Sequence, residues 1–389
     1  MSGRKPLTLF LTGTLASRIG DNADLLALNW YVLERTHSAT MLGLVNVLRL
    51  APILFCTAPT GWLADRFDRR RLLAGTRLAL FVSTLAVAAA VVGEGPMWVL
   101  CGAVLVRAVA GCAEPVLRQS MLPLLCGGRP LAKVVAMHSA CLNLAMVLGP
   151  AIGSVLLATT PLVTVFWFNV ACSVLSLCCL TILPENSRRA ERGPSTPLWP
   201  FVRENPVVRA QLALAVGPML FAFPYTSLMP LLAKDLVGGD AGTTGLLLTS
   251  GAVGALAASL SLSRRAPARP GVLAAVTGVA LGVMLLGLLV FRSFGVEAAV
   301  AMMLLVGVVG QCYRTSNRSA LQLALPDELR GRVLGIANTD RALIPAGTAL
   351  LSPIAELFGT ATMLLVMGVG CVLVTLLAAQ LGTRERVMA

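Results

Sequence analysis

Polar residues interrupt this sequence at intervals of about twenty positions, and the stretches between them are apolar and continuous. At about 1.5 Å per residue, a helix of about 20 apolar residues crosses the hydrocarbon core of a bilayer. Twelve such stretches are legible. Six lie near Leu7–Leu33, Met41–Leu63, Leu72–Val92, Met97–Leu117, Met137–Ala158 and Leu162–Leu183. Six more lie near Val207–Leu232, Thr244–Leu262, Val272–Phe291, Val296–Tyr313, Val333–Leu357 and Thr360–Leu381. In hydrocarbon every backbone N–H and C=O needs a partner within the protein, which leaves helices and closed barrels. Barrel strands alternate apolar and polar side chains between aromatic girdles; these runs do not alternate, and only 5% of the residues are aromatic. The expected fold is an all-α integral membrane protein with twelve transmembrane helices in two pseudo-symmetric six-helix bundles. Residues 1–184 form the first bundle, 185–206 a cytoplasmic linker with an interfacial segment, and 207–389 the second bundle.

The chain carries 31 Lys and Arg against 18 Asp and Glu, a formal charge of +13. Such a balance also suits a nucleic-acid binder, so the position of the charges matters more than their number. With a cytoplasmic amino terminus, 21 of the 31 fall in inner segments, whereas the outer loops hold only Arg35, Lys234 and Arg292. That asymmetry keeps basic loops on the cytoplasmic side. The charge therefore reports topology: a multi-pass protein of the cell membrane with both termini cytoplasmic and no nucleic-acid partner. The first helix is too long and polar for a cleaved signal peptide. Nine of ten Cys fall in apolar runs, no C-x-x-C pair occurs, and there are two His. No metal or other cofactor is expected, and the thiols read as small packing residues.

Charges inside a span are costly, so each needs a partner or a water-filled cavity. The first helix reads S-R-I-G-D-N-A-D from Ser17 to Asp24. Arg18 lies about 16 Å along the helix from Leu7, which places Arg18, Asp21 and Asp24 near the membrane midplane. Burial favours a neutral carboxyl and a nearby guanidinium favours a charged one, so a proton can be exchanged as the Arg moves. Asp24 is the stronger candidate for that exchange. Arg18 and Asp21, three residues apart, equally suit a fixed pair. Arg107 in the fourth span needs a partner, and Glu114, seven residues on along the same face, is the expected one. Asp340 and Arg341 in the eleventh span and Arg314 in the tenth form a corresponding group in the second half. Asn29, Asn46, Arg49, Tyr225, Asn317 and Glu356 either line a cavity or bond between helices. His138, near the cytoplasmic end of the fifth span, reads as solvated.

Between the second and third spans stands G-W-L-A-D-R-F-D-R-R-R, Gly61 to Arg71. This loop resembles the signature of the major facilitator superfamily, with Asp where the family has Gly at position 68. The resemblance implies a cytoplasmic gate in which Asp65 holds a neighbouring helix end while Arg66, Arg69 and Arg70 bridge others. A solvated basic loop that only sets orientation is the alternative. L-G-P-A-I-G-S, Leu148 to Ser154, resembles the Gly-Pro motif of drug-exporting antiporters in that superfamily. Pro150 removes a backbone donor, and Gly149 and Gly153 allow close helix packing, so the segment is a candidate hinge or a packing site. Arg107-Ala-Val-Ala-Gly111 partly matches a further motif of the superfamily, a buried Arg near the substrate and proton route. Together with F-V-R-E-N-P-V-V-R and P-D-E-L-R-G-R-V-L-G, these segments resemble the branch with macrolide efflux pumps and the enterobactin exporter. A weak internal repeat accompanies them: Arg118, Pro123, Arg129 and Gly149-Pro150 echo Arg318, Pro326, Arg330 and Pro345-Ala346-Gly347.

The resemblance implies a proton-driven exporter of a small hydrophobic or amphipathic compound, acting by rocking of two bundles around a midplane cavity. Its partners are then a small-molecule substrate, protons and the bilayer; one chain holds both halves, so a monomer is expected. An uptake or facilitated-diffusion permease has the same fold and is the alternative. A non-transporting receptor or scaffold has no sensor domain to point to here. An enzyme is not expected, because G-x-S-x-G, H-E-x-x-H and G-x-x-x-x-G-K sequences are absent.

Overall fold

The computed structural model describes residues 5–52, 69–126, 130–181, 203, 205–264, 267–291, 294–324 and 343–388. Among these residues all regular structure is helical. The first half contains α1 (Lys5–Thr36), α2 (Ala39–Leu50), α3 (Arg69–Val92), α4 (Met97–Gly111), α5 (Glu114–Met121), α6 (Leu131–Thr159) and α7 (Val163–Thr181). The second half contains α8 (Pro206–Gly217), α9 (Tyr225–Val237), α10 (Ala241–Arg264), α11 (Pro270–Phe291), α12 (Gly295–Leu323), α13 (Leu343–Phe358) and α14 (Thr360–Met388).

Among the described residues, eight segments are long and apolar enough to cross a membrane, with α8 and α9 counted as one, and α2, α4 and α13 are shorter apolar helices. The 32-residue α1 is long enough as well, but its mid-helix charges break the apolar run. Every expected span thus overlaps a helix, the second and eleventh extending beyond the described residues, and the chain has the all-α transmembrane fold read from its sequence. Large apolar side chains such as Trp98, Val106, Val155 and Leu373 are exposed. In a lipid-facing surface that is their favoured environment.

Two spans are interrupted where proline dictates it. The fourth breaks at Cys112 and Ala113, because Pro115 has no N–H to give the carbonyl of Gly111; α5 then runs on to Met121 and a 3-10 turn, Leu122–Leu125. The seventh passes through a π turn, Pro218–Ala222, closed by the Phe223 N–H on the Pro218 carbonyl at 2.9 Å, before α9 starts behind Pro224. Asn205 caps α8, its Oδ1 accepting from the N–H groups of Val207 and Val208 at 3.1 and 3.2 Å, with Pro206 at the first helical position.

The chain divides into two compact units, residues 1–35 with 45–191 and residues 36–44 with 192–389. In the first, α3 packs against α4, α5 and α7, and α6 against α7. In the second, α12 packs between α10 and α11, and α14 packs on α8, α11 and α13. The α10–α12 crossing depends on glycine: a Cβ on Gly307 would overlap the carbonyl of Gly251. The segment 36–44 joins the second unit through Ser38 Oγ and the Thr40 N–H, which donate to Glu356 Oε2 at 2.8 and 2.7 Å.

Candidate functional site

The charged groups expected on the first helix lie together in the first unit, and α1 carries the centre of the group. Asp24 is 1% exposed, and its Oδ2 lies 2.6 Å from a guanidinium nitrogen of Arg107 on α4. Arg49 on α2 lies within electrostatic reach of Arg107, Asp24 and Asp21. Further back along α1, Arg18 lies 3.5 Å from Asp21 and 3.5 Å from Glu114. Glu114 opens α5 and is buried; it also pairs with Arg77 of α3 and, at 2.5 Å, with Nε of Arg118 one turn on. One carboxylate therefore serves three guanidiniums. Arg77 donates to Ser17 Oγ at 2.9 Å, while Arg118 donates to Thr14, to Ser17 at 3.3 Å and to Ser176 at 3.4 Å.

An apolar shell closes one end of this network. Leu7, Phe10, Leu73, Leu117, Val134 and Leu180 form a buried cluster, and the Phe10 ring centre lies 5.6 Å from the Arg118 guanidinium carbon. Charges in such a setting interact more strongly than in water, and an unpaired one is costly. Protonating Glu114 would leave three guanidiniums without their shared counter-charge; protonating Asp24 would release one. Arg18 and Asp21 have side chains 28% and 39% exposed in mid-helix. A charged group exposed at that depth calls for water rather than lipid, so this face of α1 is suited to line an aqueous cavity.

The candidate hinge packs on the same helix. A Cβ on Gly149 would overlap Cβ of Asn22, and one on Gly153 would lie 3.1 Å from Cα of Ala23. Asn22 bridges the two helices by donating to the carbonyls of Arg18 at 2.8 Å and Ala145 at 3.3 Å. Pro150 sits inside α6, where it gives no hydrogen bond to the preceding turn. Gly149, Pro150 and Gly153 thus fix α6 against the segment of α1 that lies between Arg18 and Asp24.

Several sequence expectations change here. Arg107 does not pair with Glu114 but with Asp24, since α4 ends at Gly111 and the break displaces Glu114 from its helix face. Arg118, which follows directly on the fourth expected span, is buried on α5. His138 is buried as well, its ring 6.2 Å from that of Phe10. Arg77 was missed; its only signal was a lone Arg at the sixth residue of the apolar run from Leu72. Arg18 and Asp21 do form the expected i, i+3 pair, and Asn46 donates to Asn29 at 3.0 Å.

Gly61, Asp65 and Arg66 of the gate motif lie outside the described residues, as do Asp340 and Arg341. Arg69 and Arg70 begin α3. Arg314 of the second unit stacks over the Phe223 ring at 3.8 Å. Among the described residues every buried charged side chain belongs to the first unit. No group of His, Cys, Asp and Glu suited to a metal ion occurs among them.

Comparison with known proteins places this geometry in a family. A model described as "Transmembrane secretion effector" matches residues 6–387. The chain is 30% identical over 384 residues to the staphyloferrin A transporter of Staphylococcus aureus, covering 94% of each protein. It is 28% identical over 403 residues to the multidrug efflux pump Tap of Mycobacterium tuberculosis, covering 98% of this chain and 94% of that one. Macrolide efflux protein A of Streptococcus pyogenes is 22% identical over 353 residues, with 86% and 85% covered. Among solved structures, a POT family transporter in complex with 5-aminolevulinic acid aligns over 97% of this chain and 96% of its own with a TM-score of 0.77 at 11% identity. A bacterial homologue of the iron transporter ferroportin aligns over 98% and 100% with a TM-score of 0.75 at 16% identity. These two share the fold. The chain is a multi-pass membrane transporter of small molecules and belongs to the transmembrane secretion effector family of the major facilitator superfamily.

Proposed function

We propose that the protein exports a small hydrophobic or amphipathic compound in exchange for protons across the cytoplasmic membrane, as a monomer with both termini in the cytoplasm. The observation that carries this reading is the pair Asp24–Arg107: a carboxylate 1% exposed, in mid-helix, with one close cationic partner among the described residues. Protonating Asp24 releases Arg107, and a released guanidinium in an apolar setting must find another partner. That change biases the packing of α1 and α4, and α6 moves with α1 through Gly149 and Gly153. A two-state element whose equilibrium responds to one proton is what coupling requires. In this reading residues 1–184 and 207–389 are the two moving bundles, 185–206 links them, and Gly61, Asp65, Arg66, Arg69 and Arg70 form the cytoplasmic gate.

Two of the relatives are a multidrug efflux pump and a macrolide efflux protein, which supports an outward direction. The test is a substrate screen in a host lacking its own pumps, followed by everted membrane vesicles under an imposed pH gradient. Accumulation that falls on expression and recovers with a protonophore is expected. Uptake that proceeds equally after the gradient is collapsed would replace exchange by facilitated diffusion.

A further inference from the structure

Among the described residues of the first unit, the clustered charges do not balance. Among the described residues, Arg18, Arg77 and Arg118 share two carboxylates, Asp21 and Glu114, while Arg107 pairs separately with Asp24, and Arg49 lies within electrostatic reach of that pair. Two positive charges remain over in a largely buried group, where uncompensated charge is disfavoured. The excess is also visible atom by atom. Nε of Arg18, Nε of Arg77 and one terminal nitrogen of Arg107 are buried and have no hydrogen-bond partner among the described residues. Arg77 is itself 1% exposed. No ion pair to Arg49 occurs among the described residues. Guanidinium N–H groups only donate, so an acceptor completes them, and one that carries negative charge also offsets the excess.

The geometry points to a binding site for an anionic, carboxylate-bearing amphipathic substrate at Arg18 and Arg77. Arg18 is the entrance, being partly exposed and held, among the described residues, by two contacts of 3.5 Å, to Asp21 and Glu114. Arg77 lies behind it, with Ser17 as a neutral neighbour. This inference rests on the proposed export reading and narrows its substrate: a cation would meet five guanidiniums, and a neutral compound would leave the excess charge uncompensated. Exchange of a monoanion moving out for a proton moving in carries two charges per cycle, so transport of such a substrate responds to membrane potential more steeply than transport of a neutral one.

Direct binding to the purified full chain in zwitterionic lipid nanodiscs tests this, with pyrenebutanoate, its methyl ester and a pyrenyl alkylammonium as probes read by fluorescence. The carboxylate should bind about tenfold more tightly than the ester, the factor expected of one charge-assisted hydrogen bond, and the ammonium more weakly still. Arg18→Gln should erase that preference, whereas Arg18→Lys should keep most of it. Equal binding of carboxylate and ester, tighter binding of the ammonium, absence of binding by all three, or displacement of the carboxylate by chloride at physiological concentration would each overturn the inference. Gradient-driven export of a neutral compound with a flat charge series would leave the transport reading intact and remove this one. Charge-selective binding without gradient-driven transport would do the reverse.

Discussion

Asp24 of α1 and Arg107 of α4 meet at 2.6 Å, the Asp24 side chain 1% exposed and that of Arg107 13%. Their two helices are separated in sequence by α2 and α3, so the pair ties together elements that local folding does not. Breaking such a pair from one side strands the other charge, at about 3–5 kcal/mol. Asp24→Asn should abolish the dependence of transport on the pH gradient while substrate still binds; a mutant driven as well as the parent would remove Asp24 from coupling. Arg107→Ala alone should lower thermal stability more than Arg107→Ala combined with Asp24→Asn, because the second change removes the stranded carboxylate.

Glu114 makes a separate prediction. It is the shared counter-charge of Arg18, Arg77 and Arg118. Glu114→Gln should therefore destabilise the protein by several kcal/mol, more than Asp21→Asn, whose side chain is 39% exposed. Thermal unfolding in nanodiscs reads both, and comparable melting temperatures would contradict the network.

The contact between α6 and α1 leaves graded room. Gly153→Ala puts a methyl 3.1 Å from backbone of Ala23, whereas Gly149→Ala overlaps Asn22. Overpacking of this kind costs about 1–3 kcal/mol, and the position-149 variant should be the worse of the two. It should also slow transport through its effect on the Arg18–Asp24 segment. Export rates identical to the parent in both variants would reduce the Gly-Pro segment to a passive packing site.

Outside the membrane spans, Asp240 precedes α10 and its Oδ1 accepts from the Thr243 N–H at 2.8 Å and the Thr243 hydroxyl at 2.9 Å. These bonds hold its carboxyl below the usual range, the backbone bond most of all. The cap therefore contributes fully above the unfolded Asp value of about 3.9 and is lost as pH falls through the lower folded value. Asp240→Ala should cost about 1 kcal/mol near neutral pH, and the difference from the parent should shrink in acid. A difference that grows on acidification would refute the cap.

Asp65 is argued from the sequence motif alone. Asp65→Asn should cut transport strongly with membrane abundance little changed; full transport would leave the Gly61–Arg71 loop as a topology signal only.

Much of the site's membership was legible in the chain, and its wiring was not. Arg18, Asp21, Asp24, Arg107 and Glu114 announce themselves as charges in apolar runs, and Arg18–Asp21 is a local i, i+3 pair that helical periodicity gives directly. Arg118 was as local to Glu114, four residues away, but it stands just past the end of the fourth expected span at Leu117 and so did not read as a charge inside the membrane. Asp24–Arg107 and Arg77–Glu114 were out of reach, because each depends on how two helices are rotated about their own axes when they pack.

The sequence by itself determined the twelve spans and the basic asymmetry that implies their orientation, because hydrocarbon tolerates only self-satisfied helices and the positive-inside rule acts on loops. Tertiary structure alone decided which carboxylate neutralises which guanidinium. Inside a helical membrane protein the pairing of charges is set by interhelical distances of a few ångströms, and neither hydropathy nor periodicity along one chain encodes them.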